Sequence, residues 1–352
     1  MDRCPPEICS QIFSAACTDG GYTGRSLSAV SKYVHETSKP YKYKSILLHG
    51  VHSASAFASF LEKSSPDIVG RIAHLFVSND HGVSNLERPE PPRSTSLATS
   101  LRRHVSSKIS GIVPGGKRRQ RRQRLAETEA DLSRDGTNVV AIIRVLKAVA
   151  PTLRTLTICF TSRSCTLPFL QTASPNAHFP RLPVLSELTL SYRAPVDGGF
   201  NYYFFCSPTA AASLPSLKRL DISAQTMDHH LPETLYIHIA TIAPSITHLC
   251  LPSRLSVDLR DALFDNDDER TLPLTLRRIC ILLDVYHRCT WGSNQSHCHR
   301  CQLMMLAATD HRILLLDDPS EGHKGHKSCQ TLIDEWQERM NGGEAFWEEP
   351  CE

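Results

Sequence analysis

The residues with the clearest capacity for chemistry crowd into one stretch: His287, Cys289, His297, Cys298, His299 and Cys301 fall within fifteen positions. Zinc takes four nitrogen or sulfur ligands in a tetrahedron, and Cys298-x-x-Cys301 has the bite for two of them. Cys289 with His287 or His297 would complete a low-ranked site, because the second pair lacks regular spacing. The competing reading, and the preferred one, is a polar loop entering a helix, with no metal and no cofactor. A second motif, Gly111 to Gly116 followed by Lys117, matches most of a phosphate-binding loop. It carries Arg118 where a Ser or Thr would hold magnesium, and no strand–loop–helix context surrounds it. A third is the basic run Lys117-Arg118-Arg119-Gln120-Arg121-Arg122-Gln123-Arg124. It is open to three readings: phosphate contact with nucleic acid, a nuclear address, or a solvated insert. No aromatic residues are interleaved for base stacking, which disfavours nucleic acid. No Gly-x-Ser-x-Gly elbow or His-Glu-x-x-His pair supplies a nucleophile or a metal-bound water, so the expected function is not enzymatic.

Composition narrows the class. The chain has 352 residues, thirteen cysteines and a formal net charge of +3. Residues 101–124 hold nine Lys/Arg and no Asp or Glu, so the remainder has 30 basic against 36 acidic residues, a net of −6. The basic character belongs to one segment. Odd-numbered, scattered cysteines suit a reduced compartment. No apolar run approaches a membrane span or a signal peptide, so the expected location is cytoplasmic or nuclear, away from the membrane.

The elements that must position these residues are legible as a repeat. Pro151-x-Leu153-x-x-Leu156-x-Ile158 recurs at Pro183–Leu190, Pro215–Ile222 and Pro244–Leu251, and Leu276-x-x-Ile279-x-Ile281 follows. The first apolar positions, 153, 185, 217, 246 and 276, step by 32, 32, 29 and 30 residues. Tyr43-x-x-Ile46-x-Leu48 and Ile72-x-x-Leu75-x-Val77 belong to the same series, making seven rungs. A period near 30 predicts stacked strand–loop–helix units whose neighbours bury one another's apolar faces. Helices are expected over Ala54–Lys63, with Ala56, Phe57, Phe60 and Leu61 inward, over Asn138–Ala150 and over Leu231–Ala243. A last helix and strand are expected at Leu303–Ala308 and Ile313–Leu316. Residues 81–136, rich in Pro, Ser, Arg and Glu, read as a disordered insert, and Ser191–Phe205 as an aromatic loop. From Asp317 to Glu352 there are ten acidic and three basic residues. Trp336, Phe346 and Trp347 in that tail are expected to cap the end of the stack.

Ahead of the repeats, Pro5-Pro6-Glu7 is a helix start, with Ile8, Ile12, Phe13 and Ala16 as its apolar stripe. A second helix is expected from Arg25 to Ser38. Pro6-Glu7-Ile8, Ile12-Phe13 and Leu27-Ser28-Ala29-Val30-Ser31-Lys32-Tyr33 resemble the F-box-like domain abundant in fungal proteins, over about forty residues. Cys4 stands where that family has leucine, and Thr18–Arg25 is an insert. The repeats resemble a degenerate leucine-rich-repeat array without its invariant Asn. The resemblance implies an α/β fold: an F-box-like helical hairpin (1–41), first repeats (42–80), the basic insert (81–136), a leucine-rich-repeat-like solenoid with a curved, mostly parallel sheet and outer helices (137–316), and an acidic cap or tail (317–352). It also implies a substrate-recognition subunit of a ubiquitin ligase, binding a Skp-type adaptor through Pro6, Glu7, Ile8, Ile12, Phe13, Leu27, Val30 and Ser31. The target protein would sit on the repeats. The alternative is a repeat scaffold whose helical hairpin is only a cap.

Overall fold

The computed structural model describes residues 4–79, 140–160, 179–192, 214–224, 235–256, 259–264, 272–283, 298–317 and 327–343. Its centre is one sheet of eight strands in sequence order, every neighbouring pair parallel. The strands are β1 (Ser45–His49), β2 (His74–Ser78), β3 (Thr155–Phe160), β4 (Glu187–Tyr192), β5 (Arg219–Ala224), β6 (His248–Pro252), β7 (Arg278–Leu283) and β8 (Ile313–Asp317). The seven sequence rungs are β1 to β7, in the register their pattern demands: Leu75, Leu156, Leu188, Leu220, Leu249 and Ile279 lie side by side across the sheet. The sheet is curved, and this α/β arrangement is compatible with a solenoid-like fold.

One face of the sheet is covered by the repeat helices. These are α4 (Val51–Lys63), α6 (residues 140–149), α7 (Leu235–Ile242), α8 (Leu259–Phe264) and α9 (His299–Thr309), with the single turn α5 (Pro66–Val69) between the first two strands. Alternate strand residues point into this core, as the two-residue period of a strand requires. Ile46, Leu48, Leu156, Ile158, Leu220, Ile222, Ile279 and Ile281 pack there with Ala58, Leu146, Val149, Ile239 and Leu306. On α4 the buried face is Ala54, Ala58 and Leu61, with Phe57 half-buried, rather than the set centred on Ala56 and Phe60. Small residues let the helix approach the strands closely, and Phe60 stacks on Phe57 at the rim.

Consecutive rungs are joined by more than their strands. Ahead of each strand the ladder continues: Arg154 N donates to Ala73 O, Ser186 N to Arg154 O, Lys218 N to Ser186 O, Thr247 N to Lys218 O and Arg277 N to Thr247 O. Hydroxyls bind the carbonyls of the preceding rung. Thr152 donates to Ile72 O at 2.9 Å, Ser216 to Pro183 O at 2.6 Å and Thr275 to Ile246 O at 2.7 Å, each from the position before the rung's first apolar residue. Ser186 and Thr247, both at 3.0 Å, do so from the position after it. The two placements alternate along the array. They add side-chain hydrogen bonds between rungs to those of the backbone. The eighth rung escaped the count of seven because Asp310 replaces its first apolar residue. That carboxylate, 7% exposed, accepts from Arg312 N, Nε and Nη2. The Arg312 hydrogen bond holds it below the usual carboxylate range.

The N-terminal unit has three helices, not the two of a hairpin: α1 (Pro6–Ala16), α2 (Tyr22–Leu27) and α3 (Lys32–Ser38). The expected single helix from Arg25 to Ser38 is interrupted at Ser31. That residue is extended (φ −161°, ψ 163°), and its side chain accepts from Val34 N, which starts α3 afresh. Before α2, Gly20 adopts φ +74°; a Cβ there would meet Leu47 Cβ at 2.6 Å. Glycine is therefore required where the unit touches β1.

The expected stripe on α1 is also corrected. Its buried face is Cys9 and Phe13, one turn apart, while Ile8, Ile12 and Ala16 face solvent. Cys9 and Phe13 form a small core with Val34, against which Leu27, Tyr33 and Tyr41 pack.

Candidate functional site

Two surfaces of this frame have the character of binding sites. The first is the solvent side of the N-terminal unit. Ile8 (45% exposed) and Ile12 (49%) are one turn apart on α1, and Val30 (64%) stands in the turn before α3. Pro6, Glu7 and Ser31 are exposed as well. Phe13 is not: at 1% exposure it belongs to the core, and Leu27 packs against that core half-buried. The eight residues drawn from the sequence thus divide into six that a partner would meet and two that hold the helices together. Tyr22, 68% exposed at the start of α2, joins the outward set. It lies in the insert, where the motif gave no signal.

The second surface is the sheet face opposite the repeat helices. The register lines up Leu47, Phe76, Thr157, Thr189, Asp221, Cys250, Cys280 and Leu314 as its central row. On its first strands lies α10 (Cys329–Met340). Ser328 caps this helix, accepting from Thr331 N at 3.0 Å. Cys329, Leu332, Ile333 and Trp336 form a buried cluster with Phe76 and Cys159, and Leu47 and Met340 pack against it. Trp336 meets Phe76 edge-on, ring centroids 5.8 Å apart. The Cys329 thiol donates to Ser78 Oγ at 3.2 Å, near the end of β2. Thr155 Oγ1, at the start of β3, donates to Met340 Sδ at 3.9 Å. The helix therefore runs against the strand direction. Arg339 reaches Thr189 Oγ1 at 3.3 Å, and Thr18 donates to Asn341 Oδ1 at 2.6 Å, tying the helix end to the N-terminal unit.

This placement corrects an expectation. Trp336 does not cap the end of the stack; it fills the opposite face near the beginning. Phe346 and Trp347 lie outside the described residues.

Beyond α10 the row turns polar. Asp221 is 2% exposed, and its Oδ1 has no hydrogen-bond partner. Its charge acts on Lys327, whose amine also pairs with Glu335 at 2.9 Å. Burial works against the Lys327 charge, but Asp221 and Glu335 outweigh it and raise the amine's pKa. The neighbouring thiols move upward: Cys250 well above its ordinary value through burial and then Asp221, Cys280 to about 11, chiefly through burial. Both stay protonated at neutral pH, which suits packing and recognition rather than nucleophilic attack. At the start of the strands, burial, with help from Lys44 and Arg154, pushes His74 down to about 4. Its Nδ1 sits 3.0 Å from Thr155 Oγ1. His248 is lowered too, by burial and then by Arg219, Arg278 and Arg277.

Cys298 precedes the first turn of α9 and Cys301 lies within it, both half-buried. His287, Cys289 and His297 lie outside the described residues, as do the phosphate-loop match and the basic run. Among the described residues no group of three His, Cys, Asp or Glu could hold a metal ion, and no helix is long and apolar enough to cross a membrane. No family model matches the chain, and no curated protein or solved structure matches it either.

Proposed function

We propose that the chain is a protein-capturing adaptor with two binding parts. Residues 1–41, F-box-like in sequence, dock on the Skp-type adaptor of a cullin–RING ubiquitin ligase. The repeat array, leucine-rich in kind, holds a target protein for modification by a separate catalytic subunit. The observation that carries this reading is the exposure of Ile8 and Ile12 on one side of α1, with Val30 beyond them, while Cys9, Phe13 and Val34 fill the unit's core. A single exposed aliphatic residue is ordinary. Two at helical spacing on an outward face, in the motif positions, are a partner's footing. Holding adaptor and target on one frame raises the effective concentration of target lysines near the transfer site.

A second reading, a scaffold in which the helical unit only caps the sheet, is favoured by the unit's anchorage. Lys44 Nζ donates to Ser14 O at 3.0 Å, and Ser45 Oγ to Cys17 O at 3.0 Å. Capture of the full-length chain on immobilised Skp-type adaptor decides between them. The adaptor reading expects capture of the unsubstituted chain and its loss in Ile8→Asp/Ile12→Asp, with stability changed by no more than about 0.5 kcal/mol, as for surface positions. No capture of the unsubstituted chain, or equal capture of the variant, leaves the cap.

A further inference from the structure

Helix α10 has the form of a ligand that the chain supplies to itself. Its apolar residues Cys329, Leu332, Ile333, Trp336 and Met340 recur at i, i+3, i+4, i+7 and i+11, and they meet one sheet face. It is not a rung: its neighbours on the sheet are already paired in register, and α10 crosses their side chains on the face that the repeat helices leave alone. The fit is incomplete. His49, Trp336 and Asp221 each bury a polar atom, Nε2, Nε1 and Oδ1, with no hydrogen-bond partner. His49 Nδ1 is 4.0 Å from Cys329 Sγ, and Asp221 is the strand neighbour of Thr189, which Arg339 reaches, so all three lie where α10 meets the sheet. Buried groups of this kind are expensive to leave unpaired, which weakens the docked state and leaves room for a better occupant.

We propose that the sheet face over β1–β5 is a receptor for an amphipathic helix of a partner protein, and that α10 is the intramolecular stand-in it displaces. The partner helix carries aliphatic residues at i+3 and i+4, an aromatic residue at i+7, and a Lys or Arg two positions before the first anchor, the place held by Lys327, whose amine lies 2.9 Å from Glu335. A helix fits here because the seat is a surface of side chains, Leu47, Phe76 and Cys159, and not a strand edge. Asp221 supplies selectivity: an acid or an apolar residue opposite it would leave a buried carboxylate without a counter-charge. Residues 318–326 tether α10 to β8, so it competes at high effective concentration and masks the seat in the free chain. This names the target class for the capturing half of the function proposed above and rests on that half alone.

The test uses full-length chain and no ligase adaptor, so its failure leaves the adaptor-docking reading standing, and the converse holds. The probe is a fluorescent peptide of residues 327–343, with a scrambled peptide of the same composition as control. Leu332→Asp/Trp336→Asp in the chain frees the seat with the tether intact. This variant is expected to bind the peptide at least about tenfold tighter than the unsubstituted chain, whose own α10 competes. A peptide with Lys327→Met is expected to bind several-fold more weakly. Native-state hydrogen exchange on the unsubstituted chain needs no variant. The amides of Ile333 to Trp336 are expected to exchange about a hundredfold faster than those of Leu156 and Leu190, through local opening. Exchange of α10 only together with the strands overturns the proposal, as does a folded variant that ignores the peptide or binds the scrambled one equally. Should the variant not fold, the exchange result decides. A dimer that exchanges α10 between copies would identify a second chain as the occupant and would also overturn it.

Discussion

Two apolar surfaces outside the main core are treated oppositely. On the N-terminal unit Ile8, Ile12 and Val30 are left to solvent. On the sheet face Leu47, Phe76 and Cys159 are covered by α10. The first surface is aliphatic and broken by exposed polar neighbours such as Glu7 and Gln11, as ordinary protein surface is. The second spans three strands around Phe76, and uncovered it would be a liability. The difference separates an apolar surface left to solvent from one that needs an occupant at all times.

Substitution breaks the comparison most sharply at Trp336. Trp336→Ala is expected to weaken the docking of α10 by about 3–5 kcal/mol, the usual cost of emptying a buried aromatic site. Accelerated amide exchange within α10, with little change in β6 and β7, would register it. Acid comes next. His74 titrates near 4 in the folded chain and near 6.5 unfolded, so the unfolded state binds more protons between those values. Stability is complete above the unfolded pKa and is lost as pH falls toward 4, by on the order of 2–3 kcal/mol. His74→Gln is expected to flatten that part of the urea-midpoint profile between pH 7 and 4. The smallest effect belongs to the exposed unit: Ser31→Ala removes the cap of α3 at a cost of about 1 kcal/mol, read as a fall in the urea midpoint without loss of the sheet. A larger fall would mean that the N-terminal unit and the sheet unfold as one.

What the sequence made legible follows from periodicity. Seven rungs and their helices could be placed because the buried face of each unit repeats the same apolar spacing. The opposite face obeys no such rule. Leu47, Phe76, Thr157, Asp221 and Cys250 occupy equivalent positions with unlike chemistry, since nothing in the stacking constrains them. An amphipathic pattern shows that α10 has an apolar side but not which surface receives it. On α1 the large aliphatics Ile8 and Ile12 dominate the sequence pattern, although the sulfur-bearing Cys9 is the one that packs. The hydroxyl ladder was present all along in Thr152, Ser186, Ser216, Thr247 and Thr275. It was hidden because its position alternates between rungs, and because a hydroxyl that satisfies a carbonyl is indistinguishable in sequence from one that meets water.

The distance along the chain between the two halves of the covered seat has a consequence for synthesis. Phe76 leaves the ribosome 260 residues before Trp336. At the usual ~5–20 residues per second, the first strands wait roughly 13–52 s with that aromatic face uncovered. The Thr18–Asn341 bond closes later still, joining positions 323 residues apart. A nascent chain of this design is most exposed to misassociation, and most in need of a chaperone, when its strands are already formed and α10 is still missing.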